Sequence, residues 1–104
     1  MKKLENREVN RHQLLGDLSL VYEGTTEEIQ VTLPDLSTRG MFIPTRRLFP
    51  IGSVLKVRFW LPRSGFLVNA RAEVRRILPD SGIGVEFVEL SCEALRAIEE
   101  EFGE

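Results

Sequence analysis

Residues 35–43 read DLSTRGMFI, and this stretch joins one strand-like segment to the next through a polar turn. Before it, Ile29, Val31 and Leu33 alternate with polar residues, which is the pattern of a half-buried β-strand. Pro34 has no N–H to donate, so it ends that strand. Asp, Ser and Gly are common in turns for separate reasons, and all three follow here. The segment therefore predicts a turn between two strands.

The side chains of this turn allow two interpretations. Asp35 and Ser37 offer a carboxylate and a hydroxyl, and Gly40 leaves its backbone uncovered, so together they can hold a small polar ligand. The same residues also form ordinary loops, in which Asp and Ser only cap the turn. Both roles are compatible, because a carboxylate that caps a turn keeps spare acceptor capacity.

Period-two alternation continues through most of the chain and indicates a β-rich fold. We predict six strands, at residues 14–22, 29–33, 41–43, 55–61, 66–75 and 83–87. Gly- and Pro-containing turns separate them at short intervals, which favours a closed or nearly closed antiparallel barrel.

The last segment has the spacing of a helix. Ser91 is a suitable N-cap, and an apolar stripe that we expect to pack on one end of the sheet follows it. The stripe consists of Cys92, Leu95, Ile98 and Phe102. Trp60 lies on the polar side of its strand, and we expect the helix or a neighbouring loop to cover it.

Length and composition are those of one globular domain. The chain has 104 residues, of which 42% are hydrophobic and 29% are charged. We expect residues 1–12 to form a flexible N-terminal arm and residues 13–104 to form the β-barrel with its helix. No apolar run approaches the ~20 residues of a membrane span, and the basic start lacks the apolar segment of a secretory signal. With Cys92 as its single cysteine, the chain fits a reducing compartment, and we expect a cytoplasmic protein without membrane insertion.

Several functional classes receive no support from these residues. The net charge of −2 argues against a general DNA or RNA binder. His12 is the only histidine and has no cysteine cluster near it, so the sequence supports neither a metal site nor a histidine-based catalytic site. We therefore expect a non-enzymatic protein without a metal or cofactor.

A second motif changes the balance between the two interpretations of the turn. An R-x-x-x-R motif, Arg7 to Arg11, precedes the D-x-S-x-x-G motif of Asp35 to Gly40, and a β-rich region with a closing helix follows. The order and spacing of these features resemble the PilZ domain family over about residues 7–102. That resemblance implies a six-stranded antiparallel barrel with a C-terminal helix.

The resemblance also implies a function, since PilZ domains are known chiefly as receptors for the bacterial second messenger cyclic di-GMP. By position in the motifs, Arg7, Arg11, Asp35, Ser37 and Gly40 would bind this ligand. Binding would order the N-terminal arm and signal to a downstream partner protein. The alternative is a PilZ-like adaptor that binds no nucleotide and regulates pili or motility, although such members typically have a degraded arginine motif.

Two positions depart from the strongest form of the family pattern. Asn6 stands where many members have a further arginine that accompanies binding of a stacked ligand pair, so we expect one ligand molecule here. Glu8 places a negative charge inside the first motif. Exposed arginines of the fifth strand also offer candidate ligand contacts, but we expect them to be solvated and leave them outside the site; they are Arg71, Arg75 and Arg76.

Overall fold

A computed structural model describes residues 14–32 and 36–102. Six strands and one helix follow one another along the chain. They are β1 (Leu14–Tyr22), β2 (Thr25–Thr32), β3 (Gly40–Ile43), β4 (Val54–Trp60), β5 (Leu67–Leu78), β6 (Gly82–Leu90) and α1 (Cys92–Phe102). The predicted arm, residues 1–12, lies outside the described residues.

All neighbouring strands are antiparallel and form a single sheet in the order β2-β1-β4-β5-β6-β3. The sheet curls into a half-barrel, and its two edge strands, β2 and β3, come near each other without forming a ladder between the described residues. The prediction of a six-stranded antiparallel sheet with a C-terminal helix is confirmed. The sheet remains open at the seam between β2 and β3.

The alternation read from the sequence places the core correctly. In β4, for example, Leu55, Val57 and Phe59 are buried while the residues between them are exposed. The concave face of the sheet is filled in the same way by every strand, and its largest fully buried side chains include Leu18, Leu20, Ile43, Val68, Val74 and Ile83. Because side chains alternate between the faces of a sheet, this core leaves a continuous polar face outside.

The short strand β3 depends on two glycines where it meets β6. Gly40 lies opposite Glu86 at one end of the pairing, and a Cβ at Gly40 would lie 2.0 Å from the Val85 carbonyl oxygen. Gly82 precedes the other end, and a Cβ there would lie 2.3 Å from the Ile43 carbonyl oxygen. No side chain fits in either place, so the two backbones approach as closely as they do only because both residues are glycine.

Helix α1 begins as predicted but buries a different stripe. The Ser91 hydroxyl accepts a hydrogen bond from the Ala94 N–H at 3.0 Å, which confirms the N-cap. The buried residues are Ala94 and Ile98, one turn apart. The prediction was wrong for Cys92, which is exposed, and for Leu95, which is 38% exposed.

The predicted cover over Trp60 is also absent from the described part of the chain. Trp60 is 58% exposed on the outer face of β4. Its position on the polar side of the strand was therefore read correctly, but neither the helix nor a described loop packs over it.

The helix packing predicts unequal effects for its two large apolar residues. Ile98→Ala removes a fully buried side chain and should lower the free energy of unfolding by about 2–5 kcal/mol. Leu95→Ala, on the exposed side of the same helix, should cost less than about 1 kcal/mol. Urea denaturation of both variants measures the difference, and equal losses would contradict the observed orientation of the helix.

The close approach at Gly40 predicts a similar contrast within the sheet. Gly40→Ala should destabilise the domain by about 1–3 kcal/mol, because β3 and β6 must move apart to admit the methyl group. Gly84→Ala is the matched control, since its Cβ would meet only the Arg76 Cβ at an ordinary 3.6 Å. Thermal unfolding of the two variants measures the effect, and a Gly40→Ala protein as stable as Gly84→Ala would rule out the steric explanation.

Candidate ligand-binding site

The D-x-S-x-x-G motif forms the turn that leads into β3 at an edge of the sheet. Leu36 is buried and forms an isolated antiparallel bridge with Met41, which closes the turn. The Ser37 N–H donates to the Gly40 carbonyl oxygen at 2.9 Å. Backbone hydrogen bonds alone therefore define the conformation of the turn. The turn projects from the sheet edge at a defined place.

The Ser37 hydroxyl is exposed and caps this turn. Its oxygen accepts from the backbone N–H groups of Arg39, at 3.2 Å, and Gly40, at 3.4 Å. The hydroxyl also lies 3.3 Å from the Gly40 carbonyl oxygen, to which it donates. These distances are at the long end of the hydrogen-bond range, so each bond is weak. Ser37 thus has the capping role expected from the sequence and can still exchange these partners for an incoming polar group.

Gly40 serves the turn through packing. Its backbone φ is not positive, so the left-handed conformation that often requires a glycine in a turn is not the reason here. Position 40 requires a glycine because its Cα lies against the Val85 carbonyl oxygen, where a Cβ would not fit. The ladder continues past it, because the Phe87 N–H donates to the Arg39 carbonyl oxygen at 2.7 Å. Gly40 is buried, so its contribution to a ligand site is to hold the turn against β6.

Three of the five residues predicted to bind the ligand, Arg7, Arg11 and Asp35, lie outside the described residues. The structure brings together Ser37 and Gly40, and the roles of the other three stay predictions.

An ion-pair network on the outer face lies beside the turn. Glu86 is the cross-strand partner of Gly40, and its carboxylate lies 3.2 Å from the Arg75 guanidinium. Arg75 also lies 3.6 Å from Glu73, the partner of Glu86 across β5 and β6. All three side chains are at least partly exposed, so these pairs contribute little to stability and exchange readily.

Arg75 is therefore a cation next to the motif turn that the sequence reading left outside the site. Alternation identified it as exposed, but only the pairing of β3 with β6 and of β6 with β5 shows that it lies beside the turn. Arg71 is placed further along β5, where its guanidinium pairs with Glu89 at 3.4 Å. Arg76 is exposed.

Within residues 14–32 and 36–102, no group of His, Cys, Asp and Glu side chains is arranged to hold a metal ion. No helix in the described part of the chain has the length and apolar character to cross a membrane. The arrangement at the turn is thus one of exposed hydrogen-bonding groups on a fixed backbone, which suits binding of a polar ligand.

The comparisons with known proteins agree with this geometry. No curated protein and no solved structure matches the chain significantly. The family model described as the PilZ domain matches residues 5–102, which is nearly the whole chain and includes both motifs. The PilZ family is known chiefly as a family of receptor domains for cyclic di-GMP. The chain belongs to the PilZ domain family.

Proposed function

We propose that this protein is a non-enzymatic receiver of cyclic di-GMP that passes the signal to a partner protein. The observation that carries the proposal is the family match over residues 5–102, within which the R-x-x-x-R and D-x-S-x-x-G motifs are both complete. The described turn supports it, because Ser37 is exposed and weakly bonded at the edge of the sheet.

Each motif residue has a role that its chemistry permits. Arg7 and Arg11 present planar guanidinium groups that grip phosphate oxygens, or the O6 and N7 atoms of guanine, through paired hydrogen bonds. Asp35 accepts hydrogen bonds from the N1–H and N2–H₂ groups of guanine. Ser37 exchanges one of its long turn bonds for a bond to the ligand, and Gly40 keeps the turn in place against β6.

The exposed ion pairs beside the turn fit the capture of an anion. Among the described residues, Arg75 pairs with Glu73 and Glu86 on the open face of the sheet. Such pairs are weak, so Arg75 is free to turn towards a phosphate near the turn. The two carboxylates limit how much negative charge collects there, which agrees with one ligand molecule per chain.

The signal in this proposal is a change of surface. When the arm that carries Arg7 and Arg11 folds onto the barrel around the ligand, the segment becomes ordered and presents a new face for a partner. The ordering costs conformational entropy, which the phosphate and guanine contacts offset.

The second candidate is a PilZ-like adaptor that binds no nucleotide and acts in pilus or motility regulation. The complete motifs favour the receiver. Binding of the ligand itself separates the two functions.

Calorimetric titration with cyclic di-GMP tests the proposal. We expect saturable binding with about one ligand molecule per chain. The Arg7→Ala/Arg11→Ala variant should bind at least about 100-fold more weakly, since each lost charge-assisted contact is worth about 1.5–3 kcal/mol. Its thermal stability should change by less than about 0.5 kcal/mol. GMP serves as the ligand control.

A matched variant, Arg46→Ala/Arg96→Ala, removes two exposed arginines from other parts of the surface and should bind normally. Arg7→Lys and Arg11→Lys retain the charge but lose the planar fork, so each should weaken binding. A folded wild-type protein that does not bind cyclic di-GMP at high concentration would contradict the receiver function and leave the adaptor function in its place. A large loss of stability in the Arg7/Arg11 variant would mean that the arginines are structural.

A further inference from the structure

A groove of about 1000 Å³ crosses the outer face of the sheet at its centre. It runs from Thr26 of β2 over β1, β4 and β5 to β6 and the start of α1. Its polar lining includes Ser19, Lys56, Arg58, Asn69, Arg71 and Ser91. The volume is at the upper end of the range for small-molecule sites, which is about 300–1,000 Å³.

The strand register concentrates positive charge in this groove. Lys56 lies directly opposite Arg71 in the β4–β5 pairing, and Arg58 lies opposite Asn69, which makes it a diagonal neighbour of Arg71. Like charges directly opposite each other destabilise a sheet. The arrangement therefore opposes the stability of the fold, and a bound anion would relieve the repulsion.

Nearby carboxylates neutralise only part of this charge. Glu89 lies 3.4 Å from Arg71. Among the described residues, neither Lys56 nor Arg58 has a carboxylate within ion-pairing distance. Asn69 and Ser19, the two cross-strand partners of Arg58, are neutral. The Asn69 amide can donate hydrogen bonds, whereas the Ser19 hydroxyl already donates to Glu28.

The groove is separate from the motif turn. The turn leads into β3 at one edge of the sheet, whereas Lys56 and Arg58 lie on β4, three strands away. At about 4.8 Å between strands, this separation is on the order of 14 Å. Along β6 the two come closer, because the Arg39 carbonyl of the turn accepts from the Phe87 N–H and the groove reaches Glu89, so it is the β4 side of the groove that lies apart from the turn.

We propose that this groove, which we call the central groove, is a second binding site and takes a small phosphate-bearing molecule of nucleotide size. Two guanidinium groups and one ammonium group facing one space match the charge and oxygen geometry of phosphate. Glu28, which accepts a hydrogen bond from Ser19 at 2.7 Å, and Glu89 border the cations on opposite sides. These carboxylates confine the positive charge, which favours a compact anion over the long backbone of a nucleic acid.

The proposal does not depend on cyclic di-GMP binding at the turn. Trp60 provides an intrinsic fluorescent probe of ligand binding in the central groove. Trp60 is the only tryptophan, is 58% exposed, and lies two residues from Arg58 on the same face of β4. We would titrate the whole chain with pyrophosphate and with ADP while recording Trp60 fluorescence, and repeat each titration by calorimetry. Citrate controls for negative charge without phosphate.

We expect saturable binding of ADP or pyrophosphate, and the two probes together distinguish a nucleotide from a free phosphate. Arg58→Gln should weaken the binding of ADP or pyrophosphate by about tenfold or more, because charge-assisted hydrogen bonds are lost. Lys56→Glu should abolish binding and raise the midpoint of thermal unfolding by about 1–5 °C, because it places opposite charges across from each other at Arg71. If the Lys56→Glu variant loses binding while its stability rises, the loss comes from the binding site and not from a damaged fold.

Two controls fix the location. Arg46→Gln removes an exposed arginine of the loop between β3 and β4 and should leave binding unchanged. The Arg7→Ala/Arg11→Ala variant should also bind ADP and pyrophosphate normally, even though the receiver function requires it to lose cyclic di-GMP. The proposal is overturned by any of three results: no calorimetric binding of either probe, citrate binding as tight as that of the phosphates, or equal weakening by Arg46→Gln and Arg58→Gln.

Discussion

The backbone contact between Gly40 and Val85 supports both the sheet edge and the motif turn. β3 has only four residues, so few ladder hydrogen bonds hold it to β6. It stays in place because its backbone approaches β6 more closely than any side chain at Gly40 would permit. The Arg39 carbonyl extends the same pairing into the turn, where it accepts from the Phe87 N–H. The position of Ser37 on the surface follows from this contact.

Alternation predicted the sheet well because burial on one face imposes a period of two on every strand, and a shift by one residue would expose the core. The helix was harder to predict. Ile98 fits both the expected stripe and the observed one, so the spacing alone did not fix which side faces the sheet. The structure packs the small Ala94 beside Ile98 and leaves the larger Leu95 outside. A helix that packs closely on a sheet needs small residues at the contact, and a pattern of large apolar residues does not reveal them.

In the candidate site, features that depend on neighbouring residues could be predicted from the sequence, and features that depend on contacts between distant strands could not. The capping role of Ser37 was visible in the sequence, because it depends on backbone groups two and three residues away. The need for a glycine at position 40 was not visible in the sequence, because the atom that excludes a side chain there is the Val85 carbonyl oxygen, more than forty positions later along the chain. The facing cations Lys56 and Arg71 follow from the β4–β5 register, which the pattern of exposed residues does not determine.

We propose different tasks for the edge and the centre of one sheet, and mapping of cyclic di-GMP binding onto backbone amides tests this most directly. In ¹H–¹⁵N correlation spectra, we expect the largest ligand-induced shifts in residues 5–11 and 35–41. The amides of Lys56, Arg58 and Asn69 in the central groove should move little. The largest shifts in the groove, with the turn unchanged, would contradict the claim that the ligand binds at the edge of the sheet.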